Sequence, residues 1–256
     1  MEAGEALAAL APLSTAAVVL DFDGTLAPIV GRPEDAEPLP GVVEVLTDLV
    51  GRCAVLALVT GRPSEEVRGR IPVPGLRIEG LYGLERSAGV AVGPLPTEVV
   101  ARVRDVAAKV PDVRVEEKGA SVAVHVRGTR DPQGALATLR APLARLAGEL
   151  GLEIAPGKLV LELVPRGRPR KGAAVERLVR GHGVRSAMYA GDDEADLEAF
   201  AALGSLRGEG LRVVRIAVRG DETPAGLTEA ADLALDGPAA LLSFLRELGG
   251  IGPSLP

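Results

Sequence analysis

The chain of 256 residues carries 47% hydrophobic and 25% charged side chains, enough apolar mass to bury a sizeable core in one large domain or two unequal ones. A net charge of -6 without a polybasic run gives no general attraction to nucleic acid or an anionic membrane, and 2% aromatic residues leaves too few rings for single-strand stacking. A single cysteine, Cys53, excludes a disulfide framework, and no apolar stretch approaches the roughly 20 residues that a membrane-spanning helix needs.

The opening "MEAGEALAALAPLSTAAVVL" has Glu2 and Glu5 where a secretory signal carries Lys or Arg, so it reads as a short amphipathic helix and the expected location is the cytoplasm. "AAVVLDFD" (16 to 23) reads as a buried strand ending in Asp21 and Asp23. A polar, Pro-rich loop (30 to 41) and a helix (41 to 51) lead to a strand at 53 to 60 and a helix at 63 to 71. The middle third changes character. A helix (96 to 110) precedes two alternating strands (112 to 128), and a second helix (131 to 150) precedes two more (152 to 165), the pattern of an antiparallel sheet with one exposed face. Beyond it come a helix at 171 to 181, a strand at 186 to 193, a helix at 194 to 203 and a strand at 211 to 218, with a C-terminal "GGIGPSLP" expected to fray.

Strands alternating with helices predict an α/β protein with a doubly wound, Rossmann-like parallel-sheet core over residues 1–87 and 167–256, and a smaller α/β domain inserted at 88–166. Open sheets of this kind bind ligands at the carboxyl ends of their strands, where Asp21 and Asp23 fall. On an extended chain the two point the same way, with Phe22 opposite, and two adjacent carboxylates are unfavourable unless a cation lies between them. "YAGDDEAD" supplies Asp192 and Asp193 at a second strand end. A ligand set of oxygens alone favours a hard cation such as Mg2+. Thr60 and the Gly61 amide in "VTGRP" precede a predicted helix N-terminus that attracts anions, with Arg62 beside them as a further candidate contact, and Lys171 opens another helix. The assembly is a phosphoryl-transfer site in outline.

These residues resemble the haloacid dehalogenase superfamily of phosphatases. "DFDGT", "VTGR", Lys171 and "GDDEAD" look like its four motifs in order. The resemblance implies an aspartyl-phosphate formed on Asp21, with Asp23 as acid and then base. It implies Mg2+ held by Asp21, the Asp23 carbonyl and Asp192, with Asp193 and Asp196 in support, and phosphoryl charge stabilised by Thr60 and Lys171. The inserted domain resembles the α/β cap of sugar-phosphate phosphatases, and "EEKGASVAVHVR" with "GKLVLELVPRGRPRKGAAV" looks like cap segments of trehalose-6-phosphate phosphatases. Glu116, Lys118, His125, Arg127, Lys158 and Glu162 are then the candidate sugar contacts. His125 with Arg127, Glu116 with Lys118, and Lys158 with Glu162 are expected to share faces on extended strands. The expected partner is a small sugar phosphate acting on a monomer, with no nucleic acid or membrane. Phosphatases of other sugar phosphates, such as sucrose phosphate or a glycosyl phosphoglycerate, and an inactive phosphosugar-binding regulator are the alternatives. Two positions depart from the pattern: Tyr82 in "GLYGLE" stands where a Gly-x-His-Gly sequence has histidine, and Glu194-Ala195 replaces a frequent Arg-Thr.

Overall fold

A computed structural model describes residues 1–86, 89–90, 93–155, 157, 159–167 and 170–250. Of the segment expected to fray, 249–256, residues 251–256 lie outside the described residues, as does Lys158. The chain divides into two compact units, one formed by Met1–Ser87 with Pro169–Pro256 and the other by Ala88–Arg168.

In the first unit, helix α1 (Ala3–Leu10) leads into strand β1 (Ala16–Leu20), and helix α2 (Val42–Val50), strand β2 (Val55–Val59), helix α3 (Ser64–Arg70) and strand β3 (Arg77–Glu79) follow. Two-residue strands β4 (Glu85–Arg86) and β5 (Gly89–Val90) lie on either side of the unit boundary. The second unit holds helix α4 (Thr97–Ala107), strands β6 (Arg114–Glu117) and β7 (Val122–His125), helix α5 (Pro132–Glu149), and strands β8 (Leu152–Ala155) and β9 (Val160–Pro165). The first unit resumes with α6 (Lys171–Arg180), β10 (Ser186–Gly191), α7 (Asp196–Gly208), β11 (Arg212–Arg219), α8 (Ala225–Ala230), β12 (Leu233–Asp236) and α9 (Gly237–Leu248).

The first unit's sheet is parallel throughout, in the order β12-β11-β10-β1-β2-β3. This is the doubly wound order expected from the alternation of strands and helices. Every residue of β1, β2 and β10 is buried, as a strand covered on both faces requires. Val18 and Leu20 pack with α1, α2 and α9, whereas Ala17 and Val19 pack on the opposite face with α6, α7 and α8. The winding reverses between β1 and β10, which pair in register from Ala16↔Ser186 to Leu20↔Ala190. That reversal opens a crevice at the strands' carboxyl ends. The two outer strands, β3 and β12, were not anticipated. They have three and four residues and carry Arg77, Glu79 and Asp236, so their apolar signal is too short to separate from loop.

The second unit has an antiparallel sheet in the order β6-β7-β9-β8. Val122, Val124, Leu161 and Leu163 turn to one face and pack with Val100 and Val103 of α4 and with Leu139 and Leu143 of α5. Asp131 caps α5, its carboxylate accepting from the Gly134 N–H at 3.0 Å. The other face was expected to be exposed, but Ser121, Ala123 and Glu162 on it are buried. A carboxylate tolerates that position because it is paired there, as described below.

No helix among the described residues is long and apolar enough to cross a membrane. Cys53 packs against the core beside α2, and burial pushes its thiol up to about 11. A thiol with so little thiolate at neutral pH is a poor nucleophile. Titration with a disulfide reagent at pH 7 is expected to give one slowly reacting thiol in the folded protein and rapid reaction after denaturation; equal rates in both states would place Cys53 at the surface.

Candidate active site

β1 ends at Leu20, and one further bond, from the Asp21 N–H to the Ala190 carbonyl at 2.9 Å, carries the ladder to the crevice. The chain then turns tightly: the Phe22 carbonyl accepts from the N–H groups of Thr25, Leu26 and Ala27. Phe22 is buried in the core, as a residue opposite to Asp21 should be. Gly24, at φ 74°, passes so close to the β10 loop that a Cβ there would stand 2.1 Å from a carboxylate oxygen of Asp192. Only glycine lets the β1 and β10 loops meet at this distance.

Around that junction the ionisable groups form one network. Lys171, the first residue of α6, places its ammonium 2.9 Å from Asp21 and 2.6 Å from Asp196. Asp196 opens α7 and is fully buried, and both its oxygens are filled. One accepts from the Lys171 ammonium and from the Tyr189 hydroxyl at 2.6 Å, and the other accepts from the backbone N–H groups of Asp192 and Asp193 at 2.8 Å. Burial disfavours the Lys171 charge, but Asp196 and Asp21 outweigh it and hold the ammonium well above the ordinary lysine value. Burial, then the Asp196 charge, raises the Tyr189 phenol, which keeps it a donor. Burial also pushes the Asp21 carboxyl well above the usual range, with Asp196 and Asp192 reinforcing the shift against the pull of Lys171. Two carboxylates, Asp21 and Asp196, thus share the Lys171 ammonium.

The ligand oxygens of Asp21, Asp192 and Asp196 lie within 4.8 Å of one another, an arrangement that suits a hard divalent cation. Because Asp196 already accepts four hydrogen bonds, Asp21 and Asp192 are the side chains suited to hold the ion. A cation there offsets the buried negative charge that otherwise raises Asp21. The Asp23 carboxylate stands apart from this cluster. It is gripped by Arg62, with Nε at 2.8 Å from one oxygen and Nη2 at 2.7 Å from the other. The expectation of two parallel carboxylates sharing one cation therefore changes, because the chain turns after Asp21 instead of remaining extended.

Arg62 is itself buried, reaches Glu66 and donates to the Pro33 carbonyl at 2.6 Å. Its charge survives burial through Asp23 and Glu66, which raise it further. The guanidinium expected beside a phosphate is thus engaged by Asp23. Thr60 is buried at the end of β2, its hydroxyl accepting from the Arg62 N–H at 3.2 Å. The helix expected over 63 to 71 runs from Ser64 to Arg70, with Pro63 as its cap. Its first N–H is taken by the Glu85 carboxylate at 2.6 Å, so this helix end has its anion within the chain. Asp193 accepts from the Glu194 N–H at 2.6 Å and reaches Asp196 through its backbone.

In the second unit, cross-strand register aligns Glu116, Ala123, Glu162 and Ala155 on one face. Glu162 is 2% exposed; Ser121 donates to it at 2.6 Å and the Lys118 ammonium lies 3.6 Å away. His125 and Glu116 are joined at 2.6 Å. Although burial opposes it, the bond to His125, with Lys118, His125 and Arg114 charges, lowers the Glu116 carboxyl. Arg127 does not share a strand face with His125, because β7 ends at His125 and a turn closes from the Thr129 N–H to the Val126 carbonyl. Lys118 likewise lies past β6, in the hairpin turn where its N–H bonds the Ser121 carbonyl, yet it reaches the same face. Tyr189 was missed from the sequence. Its one available signal is a phenol in an otherwise apolar strand, since a buried hydroxyl needs a partner.

Residues 19–229 match the protein family described as Trehalose-phosphatase. The trehalose-phosphate phosphatase of Mycobacterium avium (strain 104) is 36% identical over 249 residues, which cover 91% of this chain and 61% of that protein; the chain thus spans less than two thirds of that relative's length. Among solved structures, the C-terminal domain of the C. albicans trehalose-6-phosphate phosphatase superposes with a TM-score of 0.82 at 20% identity, covering 98% of this chain and 97% of that chain. A haloacid dehalogenase-like hydrolase from Bacteroides thetaiotaomicron gives 0.63 at 18% identity, covering 90% of this chain and 98% of that one. The family match runs from within β1, through the Asp21, Lys171 and Asp192 loops, into α8, and the fold is that of haloacid dehalogenase-like hydrolases: the chain belongs to the trehalose-phosphatase family.

Proposed function

We propose that this chain is a Mg2+-dependent phosphatase that hydrolyses trehalose 6-phosphate to trehalose and inorganic phosphate. The observation that carries the reading is the buried Asp21 carboxylate, held against Lys171 and beside Asp192 at the point where the sheet reverses, in a chain of this family. Asp21 is the nucleophile: its oxygen bonds to phosphorus as the bond from phosphorus to the sugar oxygen breaks. Asp23 gives the leaving oxygen its proton, then takes one from the water that releases phosphate from Asp21. Arg62, through two parallel N–H bonds, holds Asp23 in the ionised form that takes the proton from water. Lys171, with Thr60 and the Gly61 amide, meets the charge on the phosphoryl oxygens, and Asp196 fixes Lys171 from behind. Asp21, Asp192 and the Asp23 carbonyl would hold Mg2+, which would supply Lewis-acid charge to the phosphoryl group.

The cap contributes leaving-group choice. Glu116, His125, Lys118 and Glu162 form a row of carboxylates and donors suited to vicinal hydroxyls, with Arg127 and Lys158 as further contacts. Ala123 and Ala155 flank Glu162 across the strands, so small side chains border the buried carboxylate. The cytoplasm is the proposed location and a monomer the proposed state, since the charge and single cysteine need neither membrane nor oxidising compartment.

Phosphate release from a panel of sugar phosphates is expected to favour trehalose 6-phosphate by at least about tenfold, to stop with EDTA and to return with Mg2+; a flat panel would leave the reaction and remove the substrate. Asp21→Asn is expected to lower turnover on the order of a thousandfold or more with an unchanged circular dichroism spectrum, and undiminished turnover would sink the nucleophile assignment. Glu162→Gln is expected to raise KM for trehalose 6-phosphate about tenfold while leaving hydrolysis of p-nitrophenyl phosphate, which has no sugar, within twofold or so; equal losses on both substrates would remove Glu162 from sugar selection.

A further inference from the structure

Just beyond β3 the backbone adopts a conformation that side-chain-bearing residues avoid. Leu81, Tyr82 and Gly83 have φ of 48°, 59° and 93° in succession. Two non-glycine residues in the left-handed region persist only where the surroundings hold them. Here the turn is fastened to the loop after β2: the Leu81 N–H bonds the Arg62 carbonyl at 3.0 Å, and the Tyr82 N–H bonds the Thr60 carbonyl at 2.8 Å. The result is a fixed position for the Tyr82 ring. A Cβ on Gly61 would stand 2.7 Å from both the ring's Cζ and its hydroxyl oxygen, so the ring lies directly on the glycine. The Lys171 ammonium lies over the ring, 5.9 Å from its centroid. That distance is within reach of a cation–π attraction, which strengthens where water is excluded.

We propose that Tyr82 is a positioning residue of the phosphoryl site: its ring walls the Thr60–Gly61 loop and shields the Lys171 ammonium, so that a bound phosphate meets Lys171 in place of water. The inference rests on reading the site as a phosphatase centre and adds a residue to it. The ring, more than the hydroxyl, carries the role, because the Lys171 ammonium lies over the aromatic face. A strained turn is kept because it aims this ring, and a relaxed turn would not.

The chain has no tryptophan and two tyrosines, and Tyr189 is buried with its hydroxyl on Asp196, which makes Tyr82 a built-in reporter. Titrating the folded chain with inorganic phosphate and Mg2+ is expected to change tyrosine emission saturably, and Tyr82→Phe is expected to abolish that signal while keeping kcat within about threefold of the parent. Tyr82→Ala is expected to lower kcat for trehalose 6-phosphate about tenfold or more and to weaken competitive inhibition by inorganic phosphate by a similar factor, with the melting temperature showing that the fold is kept. Absence of any emission change, a Tyr82→Ala variant within twofold or so of the parent in both kcat and phosphate inhibition, or equal losses in Tyr82→Phe and Tyr82→Ala would each overturn the proposal. Should Tyr82→Ala fail to fold, the emission titration of the parent against Tyr82→Phe decides alone. A parent chain that binds phosphate with the emission change but hydrolyses no sugar phosphate overturns the phosphatase reading and leaves Tyr82 in the phosphate site.

Discussion

The buried chain from Tyr189 through Asp196 and Lys171 to Asp21 is the interaction on which the site depends. Taking an ammonium and carboxylates out of water is costly, and such a set is held only when nearly every donor and acceptor is matched. Asp196 meets that condition with four hydrogen bonds, two from side chains and two from backbone, and so ties α6, β10 and the loop between β10 and α7 to one point. Lys171 carries this anchoring to Asp21. Buried ion networks are often no more stabilising than apolar packing of the same volume.

The same logic accounts for the loops around it. The doubly wound order places the ends of β1 and β10 side by side, and the Gly24 contact brings Asp192 to Asp21. Arg62 is drawn inward by Asp23 and Glu66, and Glu85 satisfies the start of α3, so charges read as available to a ligand are in part committed to one another. The left-handed turn at Leu81–Gly83 is a second cost, held by two backbone bonds to the Thr60–Arg62 segment. Strain and desolvation thus collect at one end of the sheet, where binding or chemistry repays them.

In the second unit the economy differs. Alternation puts valines and leucines against α4 and α5 and a row of polar residues on the reverse face, and pairing of Glu162 with Ser121 and Lys118 lets that carboxylate remain buried. The first unit's ion network gathers at one point, whereas this row distributes donors and acceptors across several strands, an arrangement suited to a ligand with many hydroxyls.

Local pattern was enough to read the central strands and most helices: continuous apolar runs such as "AAVVL" and "VLALV" have no other place than a sheet covered on both faces, and the acids that end β1 and β10 stand out because nothing apolar would interrupt itself so. The short outer strands β3 and β12 were not legible, since three or four residues with charges among them carry no periodicity. Nor were the side-chain allegiances. The sequence places Asp196, Arg62 and Thr60 among the candidates but not their partners, because side-chain hydrogen bonds such as Arg62 to Asp23, 39 residues away, or Lys171 to Asp196, 25 residues away, have no sequence signature. Types of residue and their order determined that carboxylates, a lysine and a threonine meet at strand ends. Only the tertiary structure decided that Asp21 faces Lys171, that Asp23 turns to Arg62 and that Asp196 holds the centre, because a tight turn after Asp21 and the reversal of the sheet set those distances.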